Sequence, residues 1–241
     1  MIKKRCLVIG SSMTMPSFDL KYEDTWLYLL MQAYPNIEFV DKSRRAPSAI
    51  RLITEGTLSK GYDLLEYYSP NYVIIQLGLN DASPRLLKRN TITTRLINHL
   101  PFSNLIYNFI RRTRGRTLSC SDLTPEQYYN CFDNYLLRAS EYNVIVFCFK
   151  IAYTTNVVRE KSPRIIEAIN MFNNKLEKLS KKYSNFILVD AFDDSFDFSD
   201  MVVSDGIHPN IKGSQFLFHK IKYKIDEEIN KEDSIGYISH S

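Results

Sequence analysis

The sequence predicts an α/β protein built on a parallel sheet. Five short runs, Arg5 to Ile9, Ile37 to Val40, Tyr72 to Leu77, Val144 to Phe149 and Phe186 to Val189, are nearly continuously apolar and rich in Val, Ile, Leu or Phe. Strands covered on both faces have that composition, whereas strands with one wet face alternate. Helical patterns separate the runs, giving the order β-α-β-α-β-(insert)-α-β-α-β-α. Such alternation requires right-handed crossovers and places helices on both faces of the sheet.

Each element follows from a local signal. The first run ends in "LVIGSSMTMP", residues 7 to 16, where three apolar residues give way to a glycine and two serines. A helix is expected from about Asp24 to Tyr34, then the second run, and the third run leads into "GLND" at 78 to 81. In "TPEQ", Thr124 and Gln127 have capping-box spacing and Pro125 suits the first turn. The face of that helix runs through Tyr128, Phe132, Tyr135 and Ala139. In "SPRIIEAINMFNNKLEKLSKKY", Ser162 is placed to cap and Pro163 to take the first helical position. Ile165, Ile169, Phe172, Leu176 and Leu179 recur there at helical spacing, a stripe that faces the core and implies no cofactor. A last helix, from about Lys212 to Ile229, uses Phe218, Ile221, Ile225 and Ile229, and the polar tail "KEDSIGYISHS" is expected to fray.

At 241 residues the chain suits one α/β domain, residues 1 to 241, and 44% apolar with 24% charged residues excludes disordered and collagen-like classes. No window approaches the roughly 18 apolar residues of a membrane span, and the apolar part of "MIKKRCLVIGSS" is too short for a signal peptide. The expectation is a cytoplasmic protein. Cys6, Cys120, Cys131 and Cys148 have no CxxC spacing and read as buried free thiols, with neither metal nor cofactor required. The charge is uneven: residues 82 to 121 carry eight Lys or Arg and no Asp or Glu, while the whole chain is only +4. That segment is a basic insertion interleaved with Leu, Ile and Phe.

In this fold class ligands collect beyond the carboxyl ends of the strands, and both the Gly-Ser-Ser turn and "GLND" open there. A serine hydroxyl becomes a nucleophile when a base accepts its proton, and histidine suits that task near neutrality. Of four histidines, His208 in "DGIHP" lies three residues after Asp205, close enough for that carboxylate to orient its ring; His99, His219 and His240 have no such partner before a proline. Asn80 offers a side-chain amide for a developing oxyanion.

Together "IGSS" at 9 to 12, "GLND" at 78 to 81 and "DGIHPN" at 205 to 210 resemble blocks I, III and V of the SGNH (GDSL-type) hydrolases. The resemblance spans nearly the whole chain in the expected order. It implies a three-layer α/β/α sandwich around a mostly five-stranded parallel sheet of flavodoxin-like form. It also implies Ser12 as nucleophile, His208 as base and Asp205 as its orienting acid. The oxyanion donors would be the Ser12 backbone N–H and Asn80, within the block that begins at Gly78. Two departures stand out. Ser11 replaces the usual aspartate before the nucleophile, and is itself a less favoured alternative nucleophile. The block II glycine has no counterpart in "VDKSRRAPSAI", where Arg45 or Ala46 is the best match and offers a backbone N–H.

Plainer readings compete at each position. Ser12 alone would read as a helix cap, Asp205 as a turn cap with Asp197 or Asp200 as substitute acids, and Asp81 as a loop-stabilising carboxylate. "DDSFDFSD", 193 to 200, lacks regular cation-ligand spacing and reads as a solvated acidic loop. The insertion reads as a lid or interface element, either lending charge to an anionic substrate or resting on an anionic membrane surface. No recognised nucleic-acid module accompanies it. From the family, the expected substrate is an O-acyl group, O-acetyl above all, on a carbohydrate or glycan precursor. Arg45, Arg85 and Arg89 are the candidate substrate-binding cations. The alternatives are O-acetyl transfer to a cell-surface polysaccharide and a catalytically silent binding module.

Overall fold

A computed structural model of the protein describes residues 3–17, 19–53, 63–84, 92–113 and 121–238. Five strands, β1 (Lys4–Ile9), β2 (Ile37–Asp41), β3 (Tyr72–Ile75), β4 (Ile145–Phe149) and β5 (Phe186–Val189), form one sheet in the order β2-β1-β3-β4-β5. Every pairing is parallel. This is the doubly wound arrangement the apolar runs predict, with the sheet order reversing direction between β1 and β3.

The helices are α1 (Trp26–Ala33), α2 (Asp63–Tyr68), α3 (Leu79–Ala82), α4 (Ile92–Asn98), α5 (Ser103–Thr113), α6 (Pro125–Glu141), α7 (Asn156–Arg159), α8 (Ile165–Lys182) and α9 (Ile211–Ile238). Successive strand residues point to opposite faces, and each face has its own core. Leu7, Ile9, Val73, Ile75, Val146 and Cys148 lie with the buried faces of α6 and α8. Cys6, Val8, Ile74, Phe147 and Phe149 lie with Trp26, Leu27 and Leu30 of α1 and Leu217, Ile221 and Ile225 of α9. Burying each large apolar side chain contributes about 1.5–3 kcal/mol relative to leaving it in water, so both helix layers are held by their stripes.

Local signals set most boundaries. Thr25 caps α1 by accepting the Tyr28 N–H at 3.2 Å, and Thr124 with Gln127 forms the reciprocal capping box of α6. The α8 start departs from expectation. Ser162 and Pro163 sit in the turn before the helix, Arg164 is its N-cap, and Ser162 contributes its carbonyl, accepting the Ile165 N–H at 3.0 Å, rather than a capping hydroxyl. Strand β3 ends at Ile75, two residues early, because Gln76 to Gly78 turn toward α3. Helix α9 continues to Ile238, past the expected end at Ile229. Cys6, Cys131 and Cys148 are free and buried; Cys120 lies outside the described residues. Burial pushes all three thiols up, Cys131 to about 11. Among the described residues no helix is long and apolar enough to cross a membrane.

Candidate active site

Strands β1 and β3 are hydrogen-bonded neighbours, with Ile9 opposite Ile75. The Gly-Ser-Ser turn and "GLND" therefore leave the sheet side by side. Four bonds hold the turn: Ser11 O accepts the Thr14 N–H at 3.1 Å, Ser12 O the Met15 N–H at 3.3 Å, Met13 O the Trp26 indole N–H at 3.3 Å, and Gly10 O the Arg44 N–H at 3.2 Å. Ser11 is buried, and its hydroxyl accepts the Met13 N–H at 3.3 Å. Serine thus closes by its hydroxyl the turn that an aspartate could close by its carboxylate.

The chain after β5 returns to this edge through a tight turn. Val202 and Pro209 form an isolated antiparallel bridge. Inside it, Val203 donates to His208 O at 2.9 Å and Gly206 to Val203 O at 2.9 Å. Gly206 has φ +74°, and a β-carbon there would lie 2.2 Å from Thr155 Oγ1, so the position excludes a side chain on both counts. Its carbonyl accepts the Thr155 N–H at 3.1 Å, tying the turn to the loop after β4. Asn210 anchors the other end: its Oδ1 accepts the Gly213 N–H at 3.1 Å and caps α9, while its Nδ2 donates to Asp200 O at 2.8 Å.

This turn brings Ser12, His208 and Asp205 together. Ser12 Oγ lies 2.8 Å from His208 Nε2, and His208 Nδ1 lies 2.5 Å from Asp205 Oδ2. A carboxylate accepts only, so Nδ1 carries the proton and Nε2 is left to accept the Ser12 hydroxyl. Asp205 Oδ1 accepts the backbone N–H groups of Ile207 at 2.8 Å and His208 at 3.0 Å. Burial pushes this carboxyl up, but the His208 N–H, the His208 ring and the Ile207 N–H outweigh it, and the net shift is downward.

Other singled-out residues take definite places. Asn80 lies half-buried in α3, beyond Gly78, whose φ of +120° suits glycine and lets the chain turn from β3 into that helix. Ala46, one of the two positions matched to the block II glycine, is exposed and has φ +50°, left-handed backbone that glycine adopts more readily than alanine. Arg45 reaches back to the loop after β1, donating from Nη2 to Pro16 O at 3.3 Å. Arg85 and Arg89 lie outside the described residues. Asp81 is fully buried, its Oδ2 accepting the Ala49 N–H at 2.8 Å. Asp197 accepts the Ser199 N–H at 2.9 Å and Asp200 pairs with Lys212 at 3.0 Å. Among the described residues no group of three or more His, Cys, Asp or Glu is placed to hold a metal.

Sequence reasoning missed one part of this edge. Thr14, one turn beyond Ser12, donates to Gln76 Oε1 at 2.5 Å, and both side chains are buried. The signal was a lone glutamine inside an otherwise apolar run, since a buried amide needs a partner.

The comparisons agree with this architecture. No curated protein matches. A psychrotrophic esterase EstA from Pseudoalteromonas sp. is 17% identical, with 94% of this chain and 99% of that one covered at TM-score 0.56. A carbohydrate esterase family 3 protein from Talaromyces cellulolyticus is 15% identical, with 95% and 99% covered at TM-score 0.61. The lipase/acylhydrolase from Enterococcus faecalis is 15% identical, with 93% and 96% covered at TM-score 0.59. These likenesses show the fold. The family model for GDSL-like lipase/acylhydrolase matches residues 17–221, beginning just beyond the Ser12 turn, where the sequence reads Gly-Ser-Ser-Met. With most of its length matched, and with a five-stranded parallel sheet between two helix layers, the chain belongs to the GDSL-like lipase/acylhydrolase family, hydrolases that act on ester bonds.

Proposed function

We propose that the protein removes O-acyl groups, O-acetyl above all, from a carbohydrate or glycan precursor through an acyl-serine intermediate. The observation that carries this reading is the continuous chain from Ser12 Oγ through the His208 ring to Asp205, at 2.8 and 2.5 Å. Ser12 Oγ attacks the ester carbonyl while its proton passes to His208 Nε2, and Asp205 steadies the imidazolium that forms. The tetrahedral oxyanion is met by the Asn80 amide and the Ser12 backbone N–H, with the Ala46 N–H as third donor in place of a glycine's. Collapse breaks the ester C–O bond, and the departing alkoxide takes the proton from Nε2. Water then repeats the sequence on the acyl-serine, releasing the acid and restoring the hydroxyl.

Two observations support a polar alcohol. A cavity of about 290 Å³ between the loops after β4 and β5 is lined by Asn156, Arg159, Asp194, Phe196 and Asp197, a mix of hydrogen-bonding groups and an aromatic face. It includes Thr155, the residue bonded to Gly206 beside Asp205. Two similar folds also bear on the acyl group: the Talaromyces cellulolyticus protein is a carbohydrate esterase, and another is a mutant acetyl esterase with an acetate ion, 14% identical at TM-score 0.61.

The test is release of p-nitrophenol from p-nitrophenyl acetate, then a panel of acetylated sugars with and without an acceptor alcohol. Turnover by the wild type and none by Ser12→Ala is expected, with acetylated sugars preferred to long-chain esters. Equal rates for the two proteins, or no turnover across short and long esters, would replace this reading with a silent binding module. Acetate appearing on the acceptor rather than in solution would make the enzyme a transferase.

A further inference from the structure

Helices α4 and α5 leave large apolar side chains in water. Ile92 is 77% exposed, Leu96 63%, Phe102 66%, Leu105 67% and Phe109 64%, and Leu100 between the helices is also exposed. Ile92 and Leu96 in α4, and Leu105 and Phe109 in α5, stand four residues apart, a spacing that aligns each pair along one side of its helix, and Leu100 and Phe102 lie in the connection between the helices. Single exposed apolar residues are ordinary, but four on two consecutive short helices, with Leu100 and Phe102 in the connection between them, make a concentration that calls for a partner. A polar contact joins the helices, the Tyr107 hydroxyl donating to Asn98 Oδ1 at 2.5 Å.

Charge identifies the partner. The segment from 82 to 121 carries eight Lys or Arg and no Asp or Glu, with Arg95 in α4 and Arg111 and Arg112 at the end of α5. A second copy of the same segment would set eight positive charges against eight, which opposes self-association. A surface that is both anionic and apolar just beneath its charge satisfies the whole segment, and an anionic lipid bilayer has that profile: phosphates at the headgroups and hydrocarbon a few ångströms below. We propose that the α4–α5 pair is an interfacial anchor that seats the protein on anionic membranes. Leu96, Phe102, Leu105 and Phe109 enter the acyl boundary, and the excess of Lys and Arg in the sequence from 82 to 121 favours an anionic bilayer over a neutral one. The segment follows α3 closely in the chain, α3 ending at Ala82, two residues after Asn80. This docking is independent of what the site hydrolyses.

The experiment is vesicle flotation with phosphatidylcholine alone and with about 25 mol % phosphatidylglycerol added. The protein is expected to float with the anionic vesicles and to stay behind with the neutral ones. Raising salt to about 0.5 M, or substituting Leu105→Ser with Phe109→Ser, is expected to lower the bound fraction about tenfold. A thermal melt of the double variant, unchanged from the parent, shows that lost binding is not lost folding. Absence of flotation on anionic vesicles, equal flotation on neutral ones, or undiminished binding by a folded double variant would overturn the proposal. So would sedimentation showing a dimer that the same substitutions dissociate, or a single-stranded oligonucleotide that competes with the vesicles at equal affinity.

Discussion

Asp205 and His208 are joined twice. One carboxylate oxygen takes the His208 backbone N–H at 3.0 Å and the other takes ring Nδ1 at 2.5 Å. The same carboxylate therefore shapes the turn and fixes the ring within it, which is why a spacing of three residues suffices. Asp205→Asn preserves shape but supplies an amide that can donate to Nδ1, favouring the tautomer that turns Nε2 from acceptor to donor. The expected result is a fall in kcat of about 10²- to 10⁴-fold with a smaller change in KM. A variant retaining full kcat would show that another group orients the ring.

The same carboxyl links stability to pH. Its pKa is lowered in the folded state by the His208 N–H, the His208 ring and the Ile207 N–H, against the upward pull of burial. A depressed folded value means its stabilising contribution is fully present above the unfolded value, about 3.9. That contribution disappears as pH falls through the lower folded value. Urea midpoints of wild type and Asp205→Asn should therefore differ at pH 7 and converge on acidification. A gap that widened in acid would mean that folding raises the Asp205 pKa.

Ser11 and Ser12 are neighbours with different surroundings. Ser11 is buried and closes the turn, whereas Ser12 faces His208. Ser12→Ala is expected to lower ester turnover by about 10³-fold or more without changing the melting temperature appreciably. Ser11→Ala is expected to lower stability by about 1 kcal/mol and to keep measurable turnover. If Ser11→Ala were the inactive variant and Ser12→Ala the active one, the nucleophile would be reassigned.

The buried bond from Thr14 to Gln76 couples the Gly-Ser-Ser turn to the end of β3. Gln76→Leu leaves the Thr14 hydroxyl without its amide in a dry setting, an expected loss of about 1–3 kcal/mol. Adding Thr14→Val should recover part of that loss, because replacing both polar partners removes the stranded group. Denaturation of the two single variants and the double variant measures the coupling, and strict additivity would mean the bond contributes nothing.

Ala46 holds φ +50°, a region that costs an L-residue about 1–2 kcal/mol. Glycine removes that strain but loses more chain entropy, about 0.5–1 kcal/mol. Ala46→Gly is thus expected to raise stability by roughly 0.5–1 kcal/mol and to leave ester turnover intact. Destabilisation by glycine would mean that the alanine methyl is needed in the loop.

Much of this was legible in the chain. The five apolar runs correspond to the five strands within two residues at each end, because a strand buried on both faces must be apolar throughout. Thr124, Pro125 and Gln127 announced the start of α6 because capping is chemistry between near neighbours. Ser162 misled for a related reason: a serine before a proline carries the local cap signal, but here it is buried in the preceding turn, and packing rather than propensity set the helix start.

By itself the sequence determined the order of strands and helices, the three motif segments and the residue types available for acyl chemistry. All of these follow from periodicity and composition within short windows. The tertiary structure decided the rest: a serine and a histidine 196 positions apart lying within 2.8 Å, a glutamine just past β3 partnering a threonine of the Gly-Ser-Ser turn, and an alanine taking left-handed backbone. Parallel strands have no local connection. Which loops meet at their carboxyl ends is settled only when the sheet pairs β1 with β3 and the helix layers close over both faces.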